Sequence, residues 1–212
     1  MCQLGIQDRL KRSYITTINS KHGNPIYPDF IKDKVVTGIN QVWSSDITYI
    51  RILSGLVYLA VIIDIYSRKV VGYALGKTLS AELTLAALQM AIATRKLENL
   101  IHHSDQGIQY TCKDYIKILK ENGIRISMSA KGNPYDNAFA ESLIKTLKQE
   151  EVYLWQYETY QDVIERIPYF IWDVYNRKRL HSALGYRPPE EYEELLAEEA
   201  SQEEEIAKTL SV

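Results

Sequence analysis

VWSSDITYIRILSGLVYLAVIIDIYSRKVVGYALG, residues 42–76, reads as three successive β-strands at about 42–52, 56–65 and 68–76. The run is dense in Val, Ile and Tyr, the side chains that suit a pleated, half-buried surface. In the first strand Ser44, Asp46 and Thr48 alternate with Trp43, Ile47 and Tyr49, so one face is polar and the other apolar. The second, LVYLAVIIDI, is continuously apolar, which predicts a central strand buried on both faces. Ser54-Gly55 and Ser67-Arg68 stand where tight hairpin connections belong.

Downstream the period changes. From about Ser80 to Lys96, Leu83, Ala86, Ala87 and Met90 fall at helical spacing. A strand at 99–104, a helix at about 112–122 ended by Asn122-Gly123 and a strand at 124–129 follow. Gly132-Asn133-Pro134 marks a loop, and helices are predicted from about Asp136 to Glu151 and from about Thr159 to Tyr175. A three-strand meander followed by alternating helices and strands gives an α/β architecture, a mixed sheet flanked by helices. The polar, basic segment 1–40 predicts a short N-terminal helix and an extended linker, 41–189 the main domain with a helical extension, and 190–212 an acidic helical tail.

Composition narrows the functional classes. The chain has 212 residues, enough for one well-buried domain with appendages. Two distant cysteines, Cys2 and Cys112, argue against a disulfide framework and fit a reducing, cytoplasmic setting. No CxxC pair supports structural zinc, no apolar run is long enough to span a membrane, and the start lacks a signal-peptide pattern. The formal charge of −2 conceals an asymmetry: Glu190–Val212 holds nine Glu and one Lys, leaving 24 basic and 18 acidic residues, +6, in the body. A basic body suits a polyanionic partner, whereas the tail reads most simply as a solvated helix. Its apolar positions Tyr192, Leu195, Leu196 and Ile206 are sparse, so a chain ending at Pro189 is expected to stay folded.

Three acids stand out. Asp46 lies mid-strand, where a lone carboxylate must be hydrogen-bonded, protonated or metal-bound. Asp105 ends a strand in His-Ser-Asp-Gln-Gly; an Asx-turn with Gly107 at positive φ is the plain alternative. Glu141 opens an amphipathic helix, 35 residues beyond Asp105. At ~100° per residue Glu141, Lys145 and Lys148 share one narrow polar face, beside an apolar face of Ala140, Leu143, Ile144 and Leu147. That face could meet a phosphate backbone, or be a surface with an ordinary Glu–Lys pair. Hard oxygen ligands from two strands and a helix suit Mg²⁺, and two such ions can stabilise both oxygens of an in-line phosphoryl displacement. His103 could orient a ligand from behind, while Asp64, next to a hairpin turn, reads as structural. YNRKRLHSALGYRPP, residues 175–189, mixes Arg177 and Arg179 with tyrosines; it fits phosphate and base contacts as well as a cation-rich helix C-terminus.

WSSDITYI, HHSDQGIQY, the 35-residue gap, DNAFAESLIKTLKQE and YNRKRLHSALGYRPP together resemble, over about residues 35–190, the integrase-like catalytic region of bacterial insertion-sequence transposases of the DDE type. Within these they are most similar to the group whose transposase is made by fusing two reading frames. The resemblance implies a ribonuclease H-like (retroviral-integrase-like) fold with Asp46, Asp105 and Glu141 as the triad for two Mg²⁺ (or Mn²⁺) ions. It also implies that Lys148 matches a basic position contacting DNA near the site. The implied reaction is hydrolysis at a transposon end to expose a 3′-hydroxyl, then attack of that hydroxyl on another phosphodiester, with transposon ends and target DNA as partners and a homo-oligomer on the DNA. Full-length relatives carry a helix-turn-helix region ahead of this one. With only 45 residues before Asp46, this chain is expected to be a truncated product or the downstream part of a fused one. An upstream-frame partner or fusion would then supply end recognition. A metal nuclease that only cuts, and a catalytically silent DNA-binding regulator, are the alternatives.

Overall fold

The computed structural model describes residues 23–32, 34–130 and 137–210. The loop expected at Gly132-Asn133-Pro134 falls outside them; residues 23–40 contain no helix where described, and the rest of the segment in which a short N-terminal helix was expected lies outside the described residues. The meander forms as β1 (Val42–Ile52), β2 (Gly55–Asp64) and β3 (Val70–Gly76), antiparallel in sequence. Then come α1 (Ala81–Thr94), β4 (Ile101–Ser104), a short α2 (Ile108–Thr111), α3 (Lys113–Glu121) and β5 (Arg125–Met128). Strand order is β3-β2-β1-β4-β5, with β4 parallel to β1 and β5 parallel to β4. The centre of the sheet is therefore β1; β2, expected to be central, is interior but one place off. Its long apolar run is buried as expected from Leu59 to Asp64.

Each face of the sheet is covered. On one side Trp43, Ile47, Ala60 and Ile62 pack with Leu88 of α1 and Tyr115 and Leu119 of α3. On the other, Ile50, Leu59, Val61 and Ile63 pack with helices α4 (Ala138–Leu147) and α5 (Tyr160–Tyr169). Burying each large side chain of this kind stabilises by about 1.5–3 kcal/mol, and it is this two-sided demand that keeps β2 apolar from Leu59 to Ile63. Gly72 lets α1 lie close: a Cβ there would stand 2.3 Å from the Ala87 carbonyl oxygen.

The two C-terminal helices are less regular than their periodicity predicts. α4 widens into a π-helical turn at Lys148–Val152, and α5 into another at Phe170–Asn176. Pro168 inside α5 has no N–H to donate, which accounts for the local loss of regular hydrogen bonding. Thr159 and Asp162 form a reciprocal capping box at the start of α5.

The acidic tail is α6 (Pro189–Leu210), and its first turns are part of the body. Glu193 is buried and receives two N–H groups of Arg95, at 2.7 and 2.5 Å, and the Ser67 hydroxyl at 2.7 Å. Lys69 pairs with both Glu190 and Glu193. The reading of 190–212 as a solvated helix is therefore corrected at its start: a carboxylate, not an apolar side chain, anchors the segment, and apolar spacing could not reveal it. Beyond Leu196 the described side chains of α6 are exposed. Among the described residues no helix is long and apolar enough to cross a membrane.

Candidate active site

Asp46 sits at the middle of the central strand, beyond the last β1–β4 pair at Ser44–His103, so its edge of β1 is open on the β4 side. Asp105 follows directly on β4. Glu141 lies on the exposed face of α4 one turn from its start, while Ala140, Leu143 and Leu147 face the sheet and Ile144 is half-buried. What aligns α4 with β1 is Asn137, just ahead of the helix. Its amide oxygen accepts from the Ser44 hydroxyl and its NH₂ donates to the Ser45 carbonyl at 3.1 Å. Asn137 therefore spans to the strand that carries Asp46 instead of capping its own helix. Sequence reasoning passed over it; a buried amide just before an amphipathic helix was the available signal.

The electrostatics tie the acids together. Burial pushes the Asp46 carboxyl up to about 7, Asp105 and Glu141 add to the rise, and the Ile47 N–H at 2.7 Å and Lys148 oppose it. Burial also raises Asp105, countered by the Gly107 N–H at 2.7 Å. That contact is the Asx-turn, but Gly107 has φ −63°, not the positive φ expected of it. Glycine leaves room there: a Cβ would come within 2.8 Å of the Asp105 carboxylate and have to push it aside. The convergence of Asp46, Asp105 and Glu141 on one metal-binding cluster, expected of the triad, is not seen: among the described residues no three His, Cys, Asp or Glu side chains stand close enough to grip one metal ion. The donors are nonetheless all hard carboxylate oxygens, and burial first, with the crowding of Asp105 and Glu141 after it, raises the Asp46 carboxyl to about 7. A divalent cation would relieve that crowding, so the residue set fits Mg²⁺ or Mn²⁺.

The other candidates lie as follows. Lys148 is half-buried with its ammonium 4.9 Å from the Tyr49 ring centre, close enough to favour ionised Asp46, whereas Lys145 is exposed on the same face. Arg177 is engaged by Glu190 and Asp173, and Arg179 grips Glu150 through two nitrogens. His103 is buried with Nδ1 2.9 Å from the Ser127 hydroxyl, which ties it to β5. Asp64 is structural: it accepts from the N–H groups of Asn40, Tyr66 and Ser67, closing the β2–β3 turn.

Comparison with known proteins bears on the fold and the lineage. Residues 37–134 match the family described as integrase core domain, and residues 122–189 match a second family of the same description. The chain is 40% identical over 194 residues to an uncharacterised 31 kDa protein of insertion element IS600 from Shigella sonnei, covering 91% of this chain and 71% of that one. It is 39% identical over 194 residues to the transposase InsF of IS3fB from Escherichia coli, covering 91% and 67%. The catalytic core of BIV integrase superposes with a TM-score of 0.56 at 21% identity, covering 77% of this chain and 98% of that one. The sheet and its flanking helices are thus ribonuclease H-like.

Proposed function

This chain belongs to the integrase-core family of bacterial insertion-sequence transposases, and from that premise we propose that Asp46, Asp105 and Glu141 carry metal-dependent cleavage and strand transfer of DNA. The observation that carries the proposal is the placement of the acids: Asp46 on the open edge of β1, Asp105 directly after the neighbouring β4, and Glu141 on the helix that Asn137 ties to β1. Two Mg²⁺ (or Mn²⁺) ions held by these acids would neutralise charge on the scissile phosphate and lower the pKa of the attacking hydroxyl.

The chain's own residues supply the positioning. Asp46 is fixed by the central strand and Asp105 by its turn with Gly107, so neither depends on a long mobile side chain. Glu141 takes its place through the Asn137 link to Ser44 and Ser45. Lys148, with Lys145 one turn before it, offers ammonium groups to a DNA backbone entering along the exposed face of α4. Water and a 3′-hydroxyl are chemically equivalent nucleophiles, so one site serves both hydrolysis and joining without a covalent protein–DNA intermediate. Two transposon ends meeting one target call for more than one such site, hence a homo-oligomer on the DNA.

The test uses labelled transposon-end DNA with Mg²⁺ or Mn²⁺. Asp46→Asn, Asp105→Asn and Glu141→Gln should each abolish cut and joined products while the fold survives, since each removes a charge with almost no change in volume. Near-wild-type products from any one variant would remove that residue from the site. Cut but never joined products from the wild type would reduce the activity to that of a nuclease.

A further inference from the structure

On the flank of α4 turned away from Lys148, a second surface has the chemistry of an anion track. A cleft of about 640 Å³ continues into one of about 530 Å³, and Arg68, Phe139 and Ala183 line both. Phe139, Ser142 and Thr146, at helical spacing, present this flank; Lys148 lies about 180° around the helix from Phe139. The basic lining groups are Lys32 and Lys34 in the first cleft, Arg179 and His181 in the second, and Arg68 at the junction. No described lining residue is acidic.

Arg68 is the informative group. It occupies the β2–β3 turn at φ 62°, a left-handed conformation that a bulky side chain adopts at a cost, and projects its guanidinium over the Phe139 ring at 4.0 Å. Among the described residues no carboxylate pairs with it directly; Asp64 acts on it only as a more distant charge and is itself taken up by the turn. Beside it, His181 Nε2 is buried with no hydrogen-bond partner. Burial, with Arg179 and Arg68 adding to it, lowers His181 to about 4, so the imidazole there is neutral at physiological pH. A stacked, half-buried cation that no described carboxylate pairs with, next to an unused imidazole nitrogen, suits an anion supplied by another molecule.

We propose that this cleft is a second DNA-contacting surface, in which Arg68 anchors a phosphate of the duplex backbone and Lys32 and Lys34 follow the strand along the first cleft. The proposal rests on the reading that this chain handles DNA. A backbone fits better than a single small anion because the basic groups are strung along two joined clefts and do not converge on one point. Arg179 contributes less than its position suggests, since Glu150 already holds it.

Binding to duplex DNA lacking transposon sequence, without divalent metal, reads this surface apart from the chemistry. Arg68→Asn removes the cation, and asparagine tolerates left-handed φ, so the melting temperature should hold. Affinity should fall roughly five- to tenfold near 0.1 M salt, and the slope of log K against log salt should flatten by about one, the loss of a single phosphate contact. Lys117→Ala, which removes an exposed charge on α3, should leave the slope unchanged. If Arg68→Asn fails to fold, the double change Lys32→Ala/Lys34→Ala, at two exposed positions, must flatten the slope instead. A folded Arg68→Asn with wild-type affinity and slope, an unaltered slope in the double variant, or no DNA binding by the wild type overturns the proposal. So does movement of the His181 imidazole resonances by inorganic phosphate but not by DNA, which would mark a small-anion site. Retained cleavage in Asp46→Asn, by contrast, would sink the proposed chemistry and leave this surface standing.

Discussion

At Asp46 the central strand holds a carboxyl whose ordinary ionisation, near 3.8, is displaced upward to about 7. The folded, metal-free chain therefore binds a proton more readily than the unfolded chain between those two values. Stability must fall as pH rises through that window and level off above it. Asp46→Asn removes the effect. The variant should melt higher than the wild type above pH 7, by about 1–2 kcal/mol after allowing for the partial openness of the site, and the gap should close towards pH 4. Millimolar Mg²⁺ should then stabilise the wild type and leave the variant unmoved, because a ligand that binds only the native state raises its stability. Thermal melts across pH, with and without the ion, decide this; a variant that gains nothing at pH 8 would mean that Asp46 is not a crowded charge. The need for a partner at Asp46 was legible from an acid in an apolar strand. That Asn137 would align Glu141 with it was not, because a side chain reaching from before one helix to a distant strand leaves no local periodicity.

Among the elements, α1 and β3 depend on a missing side chain. The backbone of Gly72 lies against Ala87 and Ala91, and a Cβ would meet the Ala87 carbonyl oxygen at 2.3 Å, far inside any tolerated contact. Neither backbone can yield without moving a whole element, so Gly72→Ala should destabilise by about 2–3 kcal/mol, at the upper end of overpacking effects, and lower the denaturant midpoint with little change in slope. A midpoint equal to that of the wild type would show that α1 is free to shift. The existence and type of these elements were readable from periodicity: three strands, then helix, strand, helix, strand, all where the pattern put them. The widened turns after α4 and α5 were not, since they arise from local hydrogen-bond loss and packing, which a hydrophobic period does not encode.

For the molecule as a whole, the beginning of α6 closes the fold through charge. Glu193 joins Arg95, Lys69 and Ser67, which belong to the end of α1 and to the β2–β3 connection, so three separated segments share one carboxylate. A chain ending at Pro189 would leave Arg95 in a half-dry setting with only Asp64, at 4.0 Å, for a partner and should lose about 3 kcal/mol, whereas one ending at Leu196 should melt like the full chain. Equal melting temperatures for all three lengths would refute the anchoring role of Glu193. The acidic surplus was visible in the sequence, but not the division of the helix into a docked start and an exposed remainder. By itself the sequence determined the class of every main element and the two-sided burial of β2, because periodicity and composition are local properties of the chain. Only the tertiary structure decided that β1, not β2, is central, that Arg177 and Arg179 are held by carboxylates, that no described carboxylate holds Arg68, and that Glu193 is buried. Each of these depends on which distant residue faces which, and a buried charge is stable only against a partner that the chain brings to it by folding.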